Sequence, residues 1–451
     1  MLYCKDECIY GAFGIKREEK MLFRNITILD ENFEIKQNMY VGIEGERIEY
    51  IGDTEPQKEY GRSYDGKGKL LMCGFYNSHG HSPMALMRGY GENLALQDWL
   101  NIKIFPFEDK LDSNAVYWGT LLTMAESLRF GIVSTSDMYY FIDDMVAATS
   151  DAHMKANISR AIVGSSEDDL WKLPSMQEMK RCFAEYHNAY NGRIKMDVSI
   201  HAEYTSAPET VRAVAQYGKE VGTRLHIHAS ESRTEHEECK KKYGKTPIAY
   251  FGDLGALDIP TTAAHCVWLE GEDFDILKEK GVTVASNPIS NMKLSSGVCN
   301  VPELLNRGIN VAIGTDSVAS NNSLNFFEEM KCFAMASKLM YNDPTAVTPK
   351  QTLYAATRGG ALGQGREDCG LLKEGFKADL IVVDIDKPNM HPVHNLLNNL
   401  VYSASGTDIV MTVVDGEILY ENGEYTTIDI CRTIREANAA TARILEELGR
   451  I

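Results

Sequence analysis

From residue 70 to residue 316 the chain returns eight times to a short apolar run: LLMCGF, IVSTSDM, ISRAIVG, MDVSIHA, RLHIHAS, TTAAHCV, VTVASNP and NVAIGTD. Runs of this length predict buried strands. Segments of helical length separate most of them. Two of these, SNAVYWGTLLTMAESLRFG and SLNFFEEMKCFAMASKLM, have the apolar spacing of a helix packed on one face. Strands alternating with helices predict a parallel sheet, and eight such units predict a TIM-type (β/α)8 barrel.

The two ends of the chain have a different texture. LFRNITIL and MYVGIEGERIEYIG, then KADLIVVDID and DIVMTVVDGEILYENGEY, read as short strands broken by turn residues. The Gly-rich GRSYDGKGKL reads as turn before the first barrel run, and RTIREANAATARILEELGR as a terminal helix. These segments predict a small β-sandwich built from both ends of the chain. The expected division is residues 21–72 and 373–451 for the sandwich with its helix, and 73–372 for the barrel. Residues 1–20 fit neither pattern and are expected to be an extension of unassigned role.

Composition narrows the class. With 451 residues, 44% hydrophobic and 24% charged, the chain reads as an ordinary globular enzyme. Acidic residues outnumber basic ones 64 to 46. The resulting field repels nucleic acid and anionic membrane, so neither is an expected partner. Lys5, Asp6 and Glu7 interrupt any signal-peptide core, and ten cysteines lack a CxxC pair. A cytoplasmic protein with reduced thiols is expected.

Barrel enzymes carry their reactive groups at the C-terminal ends of the strands. Here run one leads into His79-Gly80-His81, and runs four, five, six and eight end in His201, His228, His265 and Asp316. Residues two apart in a strand share a face, so His79 and His81 can address one ion. Imidazole and carboxylate are ordinary zinc ligands, and three or four with an open position form a catalytic site. An isolated HxH is more often structural; matching groups on other strands weigh against that here. Glu231, three residues after His228, stands where a carboxylate could take a proton from a metal-activated water.

Several stretches resemble the amidohydrolase superfamily, and within it the methylthioadenosine/S-adenosylhomocysteine deaminase and chlorohydrolase group. They are GFYNSHGHSPMALMRGYGENLALQDWL, HIHASES, AAHCVWL, SNPISNMKLSSG, IGTDSVASNNSLNFFEEM and GLLKEGFKADLIVVD. The resemblance implies a zinc ion on His79, His81, His228 and Asp316, with iron(II) as the alternative. It implies Glu231 as proton shuttle and His265 as the residue that orients the attacking water. His201 stands where binuclear relatives use a bridging lysine, so one metal per chain is expected. On the same basis Trp99 and Glu108 would line a nucleoside site, Glu108 accepting from the ribose hydroxyls, and His201 would bond the purine. Arg160 and Lys172 would meet a substrate carboxylate.

The expected activity is hydrolytic deamination of an adenine nucleoside, whether methylthioadenosine, S-adenosylhomocysteine, adenosine or 5′-deoxyadenosine. Its alternatives are a deaminase or chlorohydrolase of another amino-substituted ring, such as cytosine, guanine, pterin or triazine, and an inactive barrel scaffold. Glu231 weighs against dechlorination, because an amine must be protonated to leave and chloride need not be. The expected partner is a small nucleoside, with a homo-oligomer left open. Gly244-Lys245-Thr246 mimics the tail of a phosphate loop, but that loop's first glycine would fall on Cys239.

Overall fold

The computed structural model describes residues 20–450, so the extension read from the first twenty residues lies outside it except for Lys20. Eight parallel strands follow one another in sequence order around a nearly closed barrel. They are Phe75–Gly80, Ile132–Tyr139, Lys155–Ile162, Ile194–Ile200, Leu225–Ala229, Thr261–His265, Thr283–Ser286 and Val311–Ile313. The first and last meet through side chains as well as backbone. Thr315 N donates to Asn77 Oδ1 at 2.9 Å, Asn77 Nδ2 donates to Thr315 Oγ1 at 2.7 Å, and Asp316 N donates to the His79 carbonyl at 3.0 Å.

The first barrel strand begins later than its sequence suggested. Lys69–Cys73 pairs with Leu380–Asp384 in the terminal sheet, and the barrel strand starts at Phe75. Gly74 is the switch: a Cβ there would lie 2.3 Å from Val133 Cγ1, and the Phe75 amide already donates to the Gly131 carbonyl. An apolar run continuous across two sheets carries no sign of the crossing point except this glycine.

The termini build one nine-stranded mixed sheet around a second apolar core, with Phe23, Ile26 and Val41 from one end and Leu380, Val382 and Val413 from the other. The stretch read as Gly-rich turn contains a further strand, Arg62–Asp65, parallel to the start of Met21–Leu29. The C-terminal helix Ile430–Glu447 packs on the barrel helix Ser113–Arg129, and Arg443 Nη2 reaches Asp112 Oδ2 at 3.1 Å.

A buried charge cluster joins barrel to sheet. Lys155, 2% exposed on the third barrel strand, donates to Asp379 Oδ1 at 2.6 Å and lies 2.6 Å from Asp415 Oδ1. The Tyr76 hydroxyl donates to Asp379 Oδ2 at 2.5 Å. A desolvated lysine is stable only with such compensation, so the cluster fixes how the two units meet. Among the described residues no helix is long and apolar enough to cross a membrane.

Candidate active site

At the C-terminal mouth of the barrel four strands deliver side chains to one point. The ring nitrogens that face away from that point are occupied: His81 Nδ1 lies 2.6 Å from the Met138 carbonyl, and His228 Nδ1 lies 2.8 Å from the His201 carbonyl. Carbonyls only accept, so both Nδ1 atoms carry a proton, and in the neutral ring each Nε2 presents a lone pair. The two Nε2 atoms are 3.4 Å apart. Asp316 Oδ1 lies 3.3 Å from His81 Nε2 and 3.5 Å from His79 Nε2, which is buried and without a hydrogen-bond partner among the described residues.

These separations match a metal centre. Ligand atoms about 2.1 Å from a tetrahedral ion lie roughly 3.4 Å from one another. His79, His81 and Asp316, and likewise His79, His228 and His265, bring ligand atoms within 4.8 Å of one another. The donor set of imidazole and carboxylate fits a divalent cation. Local backbone serves the convergence. A Cβ on Gly314 would meet His79 Cβ at 2.8 Å, while Asp316 and His265 take left-handed φ values of 58° and 71°. Such conformations cost non-glycine residues energy and concentrate at functional sites.

Electrostatics separate the roles of the charged groups. Burial holds the imidazole of His79 down at about 3 and that of His228 well below its usual range, so both are neutral ligands. Burial raises Asp316, but the imidazoles of His79, His81 and His265 around it outweigh this and hold the carboxylate ionised. Ser290 Oγ also donates to Asp316 Oδ2 at 2.6 Å. Glu231 differs: burial pushes its carboxyl up to about 7, poised to gain or lose a proton near neutrality. Its Oε2 is 3.9 Å from His265 Nε2, and His265 Nδ1 lies 2.8 Å from Asn291 Oδ1.

A cavity opens beside this cluster, lined by Trp99, Glu108, His201, His228, Glu231, His265 and Asp316. Thus the structure brings together every residue singled out above except Arg160 and Lys172, with His79 behind the wall. Glu108 accepts from the Tyr139 hydroxyl at 2.6 Å, and burial pushes its carboxyl up to about 7. Trp99 is 5% exposed, with its indole N–H unpartnered among the described residues. Burial lowers His201 to about 4, so its ring is neutral. Arg160 Nε instead donates to Glu178 at 2.7 Å, its guanidinium over the Tyr140 ring, while Lys172 is exposed and pairs with Asp169.

Sequence reasoning passed over several residues of the site. Tyr139 and Tyr140 follow the end of run two and line the cavity with Tyr204. The strand-end rule applied to that run would have found them. His226 shares the inward face of His228, two residues on, and its Nε2 sits 2.9 Å from His79 Nδ1. Asn291 and Ser290 lie inside the family-like stretch SNPISNMKLSSG, but nothing in it marks their roles, because they act only through what the fold brings near them.

Comparison with known proteins agrees with this geometry. The amidohydrolase family pattern matches residues 70–419. The chain is 39% identical to a 5-methylthioadenosine/S-adenosylhomocysteine deaminase of Thermoanaerobacter pseudethanolicus, over 91% of this chain and 96% of that protein. It is also 39% identical to a 5′-deoxyadenosine deaminase of Methanosarcina mazei, over 94% and 97%. A crystal structure of an adenosine deaminase from Xanthomonas campestris with bound zinc superimposes with a TM-score of 0.88 at 28% identity, covering 94% of this chain and 98% of that one. From the match over most of its length, the chain belongs to the amidohydrolase family.

Proposed function

We propose that this enzyme deaminates an adenine nucleoside hydrolytically, giving the hypoxanthine nucleoside and ammonia, in the cytoplasm and with one zinc ion per chain. The observation that carries the reading is Glu231, a buried carboxyl poised near neutrality beside a convergence of three imidazoles and a carboxylate. The names of relatives 39% identical support the nucleoside.

His79, His81, His228 and Asp316 would hold the ion, which when bound lowers the pKa of its water to roughly 7. Glu231 takes a proton from the attacking water as its oxygen adds to C6 of the adenine ring, and passes that proton to the adjacent ring nitrogen. The second water proton goes to the exocyclic nitrogen, which leaves as ammonia while the C6–O bond becomes a carbonyl. His265, held by Asn291, orients the water from the side facing Glu231. Trp99 covers the nucleoside, neutral His201 bonds the purine, and Glu108 accepts from the ribose hydroxyls. Arg160 and Lys172 already hold acidic partners and have no part in this reading.

The test is ammonia release from methylthioadenosine, 5′-deoxyadenosine, adenosine and S-adenosylhomocysteine, against adenine, guanine and cytosine. Turnover of at least one nucleoside well above every free base is expected. A free base turned over faster than all four nucleosides would overturn the nucleoside assignment.

A further inference from the structure

The turn that carries Glu231 is held by another carboxylate. Glu235, 6% exposed, accepts from three consecutive backbone amides: Ser230 N at 2.8 Å on Oε1, then Glu231 N at 2.7 Å and Ser232 N at 3.2 Å on Oε2. An ordinary capping box uses only one of these. Here Ser232 caps the helix Arg233–Tyr243, Ser232 Oγ accepting from Glu235 N at 3.2 Å, and its own amide is the one such a box requires. The bonds to residues 230 and 231 are additional. They hold a strained turn, since Ser230 has a left-handed φ of 52°, and its carbonyl accepts from the amides of Val267 and Trp268 just past His265.

Glu235 has a neighbour of its own. Glu203, 2% exposed in the loop after the fourth barrel strand, sets its carboxyl against that of Glu235. Burial, then the charge of Glu235, push Glu203 up to about 9. Two facing carboxyls cannot both ionise, so the pair shares a proton at neutral pH. The same loop bears His201 and Tyr204, which line the cavity together with Glu231.

We propose that Glu235 is a positioning residue for Glu231, and that Glu203 locks it to the substrate-facing loop, so that both loops hold one geometry around the reacting ring. The inference rests on the reading of Glu231 as proton shuttle. It accounts for a carboxylate that reaches beyond its own helix cap and for a second buried acid set against it with no role in the chemistry. A carboxylate of fixed direction transfers a proton efficiently; one on a loose turn does not.

The test compares five variants of the zinc-loaded full chain, with methylthioadenosine as substrate and amide hydrogen exchange at residues 230–232 as an independent readout. Glu235→Gln keeps one acceptor oxygen and puts an N–H₂ against at least one of the three amides. It should lower kcat roughly 10- to 100-fold, part of what acid–base catalysis is worth, with KM and zinc content unchanged and exchange faster. Ser232→Ala removes only the side-chain cap and should lower the melting temperature with kcat intact. Glu203→Ala should lower kcat, and Glu203→Gln, which keeps a donor, should restore most of it. Glu231→Gln is the reference: if it keeps turnover, the shuttle reading itself fails. If Glu231→Gln is inactive while Glu235→Gln keeps kcat within about twofold, or Glu203→Ala equals Glu203→Gln, the positioning role alone is overturned. Should Glu235→Gln fail to fold, the Glu203 pair and amide exchange still decide.

Discussion

His79 rests on a second histidine: its Nδ1 lies 2.9 Å from Nε2 of His226, which is itself buried at the centre of the barrel. Burial holds His226 neutral, so its Nε2 can accept the proton of His79 Nδ1 and turn His79 Nε2, as a lone pair, towards the ion. Most histidine ligands lean on a carboxylate or carbonyl; here a neutral imidazole does that work.

His226→Ala is therefore expected to weaken metal binding roughly 10- to 100-fold, the usual cost of losing a partner behind a ligand. Metal competition with a chelator checks it. An unchanged affinity would mean that His79 needs no such support.

Acid–base behaviour follows from Glu231. As a base it must be ionised, and burial places its pKa at about 7, so kcat falls as pH drops through that value. A bound cation favours the carboxylate and moves the acid limb lower, never higher. Glu231→Gln should keep its metal, lose roughly 10²- to 10⁴-fold in kcat and lose this limb with it. A limb centred above 8, or one that survives in Glu231→Gln, would assign the titration elsewhere.

Much of this site was legible because a barrel exposes its chemistry at strand ends. His79, His81, His201, His228, His265 and Asp316 could be found by asking what closes each apolar run, and Glu231 by its nearness to His228. The rule failed where the run itself was misjudged. Lys69–Cys73 reads like a barrel strand, because a strand buried in either sheet needs the same apolar residues. Arg62–Asp65 was hidden by its charges and flanking glycines. Asn291 acts through a tertiary contact, which no spacing in the chain encodes, whereas His226 lies two residues from His228 and Glu235 closes an S-x-x-E spacing with Ser232. Arg160 is a different case: its position suggests a substrate contact, and its guanidinium pairs with Glu178 on a neighbouring helix.

Glu108 tests the nucleoside part of the account. Hydrogen bonds to charged groups contribute about 1.5 to 3 kcal/mol, so a 2′-deoxy substrate should lose roughly 10- to 100-fold in kcat/KM. Glu108→Ala should narrow that gap while leaving metal content unchanged. Equal preference for the riboside in both proteins would remove Glu108 from substrate recognition.

The fold carries its own test at Lys155. Lys155→Met leaves Asp379 buried without its cation, while Asp415 keeps Arg193 and Lys377, and breaking a buried pair this way costs about 3 to 5 kcal/mol. Denaturant unfolding measures it. A loss below about 1 kcal/mol would show that the cluster does not hold barrel and sheet together.

The most direct measurement is titration of metal-free protein with zinc while ammonia release from methylthioadenosine is followed. The account predicts no turnover at the start, a linear rise and a sharp break at one equivalent per chain. Activity without metal, a break at two equivalents, or metal binding with no ammonia from methylthioadenosine or the other adenine nucleosides would contradict it.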